Sequence, residues 1–223
     1  LARLHFRRRN EQLPPSAPSL RTIAMTNEQR VLLPLADGFE EIEAITIIDV
    51  LRRAGVVVRV AGLAGATIAR GAHGVGIEVD CNIDDVVLES IEAVVLAGGL
   101  PGATSLRDDK RVIAALQHMA ERGRWIAAIC AAPIALTAAG LLADESVRAT
   151  SYPAFRDQLG NAEVVNDEPV VISGRIITSA GPGTALDFSL TLAAVLVGPE
   201  LASEIASAML TEMSLNAALH TNR

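Results

Sequence analysis

Aromatic side chains are scarce: six in 223 residues, as four Phe, one Tyr and one Trp. So few rings leave little for base stacking, and a formal charge of −7 removes the basic face of a nucleic-acid binder. Cysteine is equally sparse. Cys81 and Cys130 cannot build a disulfide framework, and neither belongs to a CxxC pair that would suggest structural zinc. A reducing, cytoplasmic setting is the expectation, with no metal or other cofactor called for. Lysine occurs once, at Lys110, against eighteen arginines, which reads as coding bias. No repeat at a solenoid period is visible. The uncharged stretch 126–143 is 18 residues long, at the lower limit for a membrane span, but Pro133 and Gly140 interrupt it. A buried strand turning into a helix explains it better, so no membrane association is expected.

Half of the residues are apolar, chiefly Ala, Val, Ile and Leu, which is how helix-covered parallel sheets are filled. The length suits one α/β domain of roughly 200 residues. Residues 1–24 have a different composition, with five Arg, three Pro and the single acid Glu11. They read as a leader outside the fold, either a transit peptide that would direct the protein to an organelle or a start set ahead of Met25. Residues 25–213 then form the domain, and residues 25–223 together carry 14 basic and 25 acidic side chains. Residues 214–223 read as a tail.

From Val31 onward, short β-branched runs alternate with helical patterns, the signature of βαβ units. Strands are expected at 31–35, 56–61, 77–79, 93–97, 125–129, 147–150, 170–172 and 176–178. Helices are expected at 40–54, 108–122, 131–139, 154–159, 184–197 and 200–213. The Gly-rich segment 62–76 reads as a loop that could hold a small hairpin. The fold class is therefore α/β, with a mostly parallel sheet and helices on both faces. Ligands in such sheets sit at the carboxyl ends of strands, where Gly38–Glu43, Gly98–Gly102 and Cys130 fall.

Cys130 is the sharpest chemical signal. It stands between a strand pattern and a helix pattern with small neighbours, as at a nucleophile elbow, where helix N–H groups would lower its pKa. A buried structural cysteine fits the same spacing. Glu43 shares a stripe with Ile47, Val50 and Ala54, which turns it toward the core, where a carboxyl group needs a partner or a proton. Glu40 and Glu41 have the simpler explanation of helix-start charge. The run Gly98-Gly99-Leu100-Pro101-Gly102 offers backbone N–H groups to an anion but lacks dinucleotide spacing. Among His5, His73, His118 and His220, only His73 lies in a loop that could reach a site. Cys81 reads as inert.

The runs Ala127-Ala128-Ile129-Cys130-Ala131-Ala132-Pro133, Gly38-Phe39-Glu40-Glu41-Ile42-Glu43 and Leu96-Ala97-Gly98-Gly99 resemble the ThiJ/PfpI superfamily. The branch is that of bacterial YajL and the human parkinsonism-associated deglycase. Supporting stretches are Asp49–Gly55, Val60–Leu63 and Thr178–Thr184, and the likeness runs in order from about Arg30 to Met213. The resemblance implies a flavodoxin-like sandwich and a homodimer. It implies Cys130 as nucleophile, hydrogen-bonded to a protonated Glu43, with the Gly99 and Ala131 N–H groups as oxyanion donors. Arg53 would reach the neighbouring subunit's site. Tyr152, before Pro153, takes the place of a histidine in the parkinsonism branch; it becomes a substrate-binding candidate and removes a histidine acid/base. Ala131 stands where protease-like members carry His, which speaks against a peptidase. The implied activity is deglycase or glutathione-independent glyoxalase, acting on methylglyoxal, glyoxal and their adducts on proteins or nucleotides and so protecting against oxidative stress. The alternatives are a redox-sensing chaperone without turnover and an accessory of thiazole monophosphate biosynthesis.

Overall fold

The computed structural model describes residues 30–211, apart from 64 and 66. The leader 1–24 and the tail 214–223 lie outside the described residues, as do the last two residues of the helix expected at 200–213.

In chain order the elements are β1 (Arg30–Leu35), α1 (Glu41–Arg53), β2 (Val57–Gly62), β3 (Ile68–Arg70), β4 (Gly76–Glu78), β5 (Cys81–Asn82) and β6 (Ala93–Leu96). There follow α2 (Gly102–Asp108), α3 (Lys110–Glu121), β7 (Trp125–Ile129), α4 (Pro133–Ala138), β8 (Arg148–Ala149) and β9 (Glu163–Val164). The chain continues with β10 (Val170–Ser173), β11 (Ile176–Ser179), α5 (Ala185–Val197) and α6 (Pro199–Ala208). Seven strands form the main sheet in the order β10-β11-β7-β6-β1-β2-β5. All neighbours pair in parallel except β10 with β11.

The central strands are apolar on both faces because each face is covered. Successive side chains alternate between the two layers. Leu33, Leu35 and Val95 pack into the cluster with α1, α5 and α6, while Leu32, Val94 and Leu96 join the cluster with α2, α3 and α4. In α1 the buried face is Glu43, Ala44, Ile47, Val50 and Leu51, at helical spacing. The middle of α5 (Phe188, Leu190, Leu192, Ala193) is wholly buried, and Ser189, buried with it, donates its hydroxyl to the Ala185 carbonyl at 2.7 Å.

The expected flavodoxin-like sandwich is therefore present. The 62–76 segment does carry a hairpin, β3 with β4, antiparallel. Several expected boundaries shift. The helix expected at 108–122 begins at Lys110, because Asp109 is extended and its side chain accepts the Arg111 N–H at 2.8 Å, capping α3, and the preceding α2 was not expected. The segment expected as a helix at 154–159 is a 3-10 turn, Pro153–Gln158. The helix expected at 131–139 begins only at Pro133. Among the described residues no helix is long and apolar enough to cross a membrane.

Ile47 is 0% exposed between α1 and the sheet. Ile47→Ala should cost about 2–5 kcal/mol in urea unfolding. Val87→Ala, at a site 63% exposed, should stay within about 0.5 kcal/mol of the parent.

Candidate active site

Because β6 lies between β1 and β7, the loops after these three strands meet at one end of the sheet. The chain leaves β1 toward β2 on one side and returns to β6 on the other, so this end is a topological switch point. Gly38–Glu40 follow β1, Gly98–Pro101 follow β6, and Cys130 follows β7.

Cys130 has φ +63°, a left-handed conformation that costs a non-glycine residue on the order of 1–3 kcal/mol. Its own peptide groups hold it there. The Cys130 N–H donates to the Ser179 carbonyl at 2.9 Å, and its carbonyl accepts the Tyr152 N–H at 2.9 Å. The N–H groups of Ala131 and Gly99 face the sulfur. The Ala131 donor belongs to the turn that precedes α4, not to the helix itself, which corrects the expected strand-to-helix joint.

The approach of the three loops depends on Gly98. A Cβ there would lie 2.7 Å from the Cys130 Cβ, 2.9 Å from Glu43 Oε2 and 3.0 Å from the Ala131 nitrogen. Its N–H instead donates to Glu43 Oε2 at 2.7 Å. Glu43 is 0% exposed, as its stripe on α1 requires. Burial, opposed by the Gly98 N–H, pushes its carboxyl up to about 7. The Cys130 thiol contacts the same carboxyl. Glu43 Oε1 is buried with no partner of hydrogen-bonding geometry.

The cysteine departs from expectation. Burial, then the charge of Glu43, push the thiol up to about 12. The Ala131 and Gly99 N–H groups act downward, as anticipated, but are outweighed by burial and the neighbouring carboxyl group. The two groups exclude each other's charge, so the pair ionises as a unit.

The remaining candidates divide. Tyr152 stands beside Cys130, held through its N–H, with its ring 3.4 Å from where a Gly181 Cβ would be. Arg53 does not join this chain's site: ten residues along α1 from Glu43, it lies about 15 Å away along the helix axis. It pairs instead with Asp49 at 2.7 Å. Cys81 is remote on β5, and burial raises its thiol. The expectation missed Glu41, which is 5% exposed and not a surface helix-start charge. Its carboxylate accepts the His73 and Val75 N–H groups and meets the His73 ring. No spacing along the chain could show this, because the partners lie on a loop some thirty residues away. Ser179 was missed for the same reason, acting through its carbonyl. Among the described residues, Glu40, Glu41 and His73 are the one group of potential metal ligands, and the Glu41 oxygens are already engaged by these donors.

A folded-state value raised above the ordinary 4.5 means that the folded protein holds a proton the unfolded chain has released between 4.5 and about 7. Stability therefore falls as pH rises through that window. Glu43→Gln keeps an acceptor for Gly98 and cannot ionise. Its stability relative to the parent should grow by about 2–3 kcal/mol between pH 5 and pH 8 in urea unfolding.

The profile of the DJ-1/PfpI family matches residues 29–195. Protein dj-1beta of Drosophila melanogaster is 42% identical over 180 residues, 80% of this chain and 95% of the relative. Its crystal structure superposes with a TM-score of 0.79 at 40% identity, covering 82% of this chain and 98% of that one. A Caenorhabditis elegans protein named glutathione-independent glyoxalase DJR-1.2 is 37% identical over 76% of this chain and 89% of its own length. Protein DJ-1 homolog B of Arabidopsis thaliana is 37% identical over 84% of this chain but only 42% of its own length.

Proposed function

The chain belongs to the DJ-1/PfpI family, and from that premise we propose that it is a cysteine-dependent enzyme of reactive carbonyls. Its substrates in this reading are free dicarbonyls such as methylglyoxal and glyoxal, or their adducts on proteins and nucleotides. The observation that carries the reading is Cys130 itself, set at φ +63° with two backbone N–H groups facing its sulfur and the Glu43 carboxyl beside it. A relative named as a glyoxalase supports the same chemistry.

The reactive form has the shared proton on Glu43 and the charge on sulfur. The thiolate adds to the aldehyde carbon; a C–S bond forms, and the carbonyl π pair moves to oxygen. The Gly99 and Ala131 N–H groups donate to that developing oxyanion. Glu43 donates its proton to that oxyanion and, now a carboxylate, takes the proton from the former aldehyde carbon, leaving an enediolate. It returns this proton to the neighbouring carbon while the hydroxyl proton passes from the first oxygen to the second, so the oxidation of one carbon balances the reduction of the other. Water cleaves the resulting thioester, releasing the 2-hydroxy acid and restoring the thiol. Tyr152, next to Cys130, forms part of the substrate wall.

The proposal includes a homodimer. Ile42 and Ile45 on α1 are 57% and 45% exposed, an apolar face beside the Arg52-Arg53 pair. Pairing of this face with a second copy is what would bring Arg53 to a neighbouring site. Light scattering at micromolar concentration should give the dimer mass; a monomer removes Arg53 from the mechanism.

One observation favours a second use of the same residues. A protonated Glu43 could donate to an oxygen of Cys130 sulfinate, as a redox-sensing chaperone would require. Conversion of methylglyoxal to lactate separates the two. The enzyme reading expects lactate from the parent and from Cys81→Ser, and none from Cys130→Ser. Peroxide oxidation of Cys130 with no lactate from any form marks the sensor, and equal loss in the two variants removes Cys130 from both readings.

A further inference from the structure

The oxyanion donor Gly99 is held from outside, through two layers of loop. The inner layer is 37–41: the Glu40 N–H donates to the Gly98 carbonyl at 2.9 Å and the Gly102 N–H to the Gly38 carbonyl at 3.3 Å. A Cβ on Gly99 would lie 2.3 Å from the Glu40 nitrogen, so the two segments are in direct contact. The outer layer is 70–75. The Gly38 N–H donates to the Arg70 carbonyl at 2.7 Å, and the Ala72 N–H to the Phe39 carbonyl at 2.8 Å. Glu41 closes the seam. Its Oε1 accepts the His73 N–H at 2.6 Å, and its Oε2 meets the His73 Nδ1 at 2.8 Å. Gly71 has no room for a side chain, since a Cβ would fall 2.3 Å from the Glu41 carboxyl carbon. The His73 side chain is 73% exposed, so the outermost member of the stack is open to solvent.

We propose that Glu41 and His73 form a positioning clasp that ties the 70–75 loop to the start of α1 and thereby holds 37–41 against Gly98 and Gly99. Its bearing on turnover rests on the carbonyl-enzyme reading, while its structural part does not. The clasp responds to pH. The charged groups facing the His73 ring are Glu41 and, at 3.9 Å, Glu40, and the ring is held above its ordinary 6.5 by Glu41 first. The ion pair is therefore complete below 6.5 and is lost as pH rises through the raised His73 value. Glu41, held at about 2 because its donors outweigh its burial, stays ionised throughout this range.

Hydrogen exchange and kinetics on the full-length protein test the clasp. His73→Ala alters an exposed side chain and leaves the core intact. At pH 6 it should speed exchange of the Glu40 and Gly102 amides about tenfold while the β7 amides keep the parental rate. Above the raised His73 value, where the ring is neutral while Glu41 stays ionised, the difference should shrink. In methylglyoxal turnover, kcat should fall by about three- to tenfold at pH 6 with KM unchanged, because a donor acting on the oxyanion is lost without a loss of ground-state binding. Glu41→Gln keeps an acceptor for the His73 N–H but not the charge, and should show a smaller loosening that is the same at pH 6 and pH 9. Parental exchange at Glu40 and Gly102 in His73→Ala, or an equal rise at every amide including β7, overturns the clasp. A parent that forms no lactate overturns the carbonyl-enzyme reading instead, and the exchange comparison still decides the clasp.

Discussion

The hydrogen bond from the Gly98 N–H to Glu43 Oε2, 2.7 Å long, is the contact around which the site is organised. It joins the loop after β6 to the first turn of α1, and only a residue without a side chain can occupy the point where it forms. The Cys130 Cβ stands against the same Gly98 carbon. Glycine is thus required at 98 for the space between a thiol and a carboxyl group, not for an unusual backbone angle. Without that approach, Glu43 would be a buried acid with no donor and Cys130 a thiol with no neighbouring carboxyl group.

The same contact shapes the electrostatics. A buried carboxyl group and a buried thiol each resist ionisation, and together they resist double ionisation more strongly. The Gly98, Gly99 and Ala131 N–H groups supply fixed dipoles that favour a single negative charge in the space between the two side chains. An anion at this position is stabilised by donors already oriented for it, with no water needing to reorganise. The site therefore has a cost in the folded protein: a left-handed cysteine, a buried acid and an oxygen without a partner. The sandwich can bear such costs because two large apolar clusters lie on either side of the sheet.

The position of the site follows from strand order. Three consecutive neighbours, β7, β6 and β1, direct their carboxyl ends to one place, and each contributes one element of the site. β7 ends at the thiol, β6 at the Gly98-Gly99 N–H groups, and β1 leads through 37–41 into the helix that carries the acid. The hairpin of β3 and β4, far from Cys130 in sequence, reaches the same end through the loop between its strands and packs on 37–41.

Much of this was written in the sequence. Alternating β-branched and helical runs determined the α/β sandwich, because a covered parallel strand must be apolar throughout and a covering helix must be apolar on one stripe. The stripe through Glu43, Ile47, Val50 and Ala54 determined that one acid faces inward, and small residues around Cys130 marked the turn. Family resemblance placed Gly99 and Ala131 beside the sulfur. Tertiary structure alone decided the rest. Asp109 set the start of α3 two residues later than periodicity had it, and α2 ahead of it went unread, since a cap is a local bond that apolar spacing does not register. The thiol rose where helix N–H groups alone would have lowered it, because burial and a like charge are supplied by segments distant in sequence. Glu41, beside Glu40 in a run that reads as surface charge, became a buried tie to a loop some thirty residues away. Such pairings involve backbone N–H groups, which every residue has and which therefore leave no trace in the identity of the side chains.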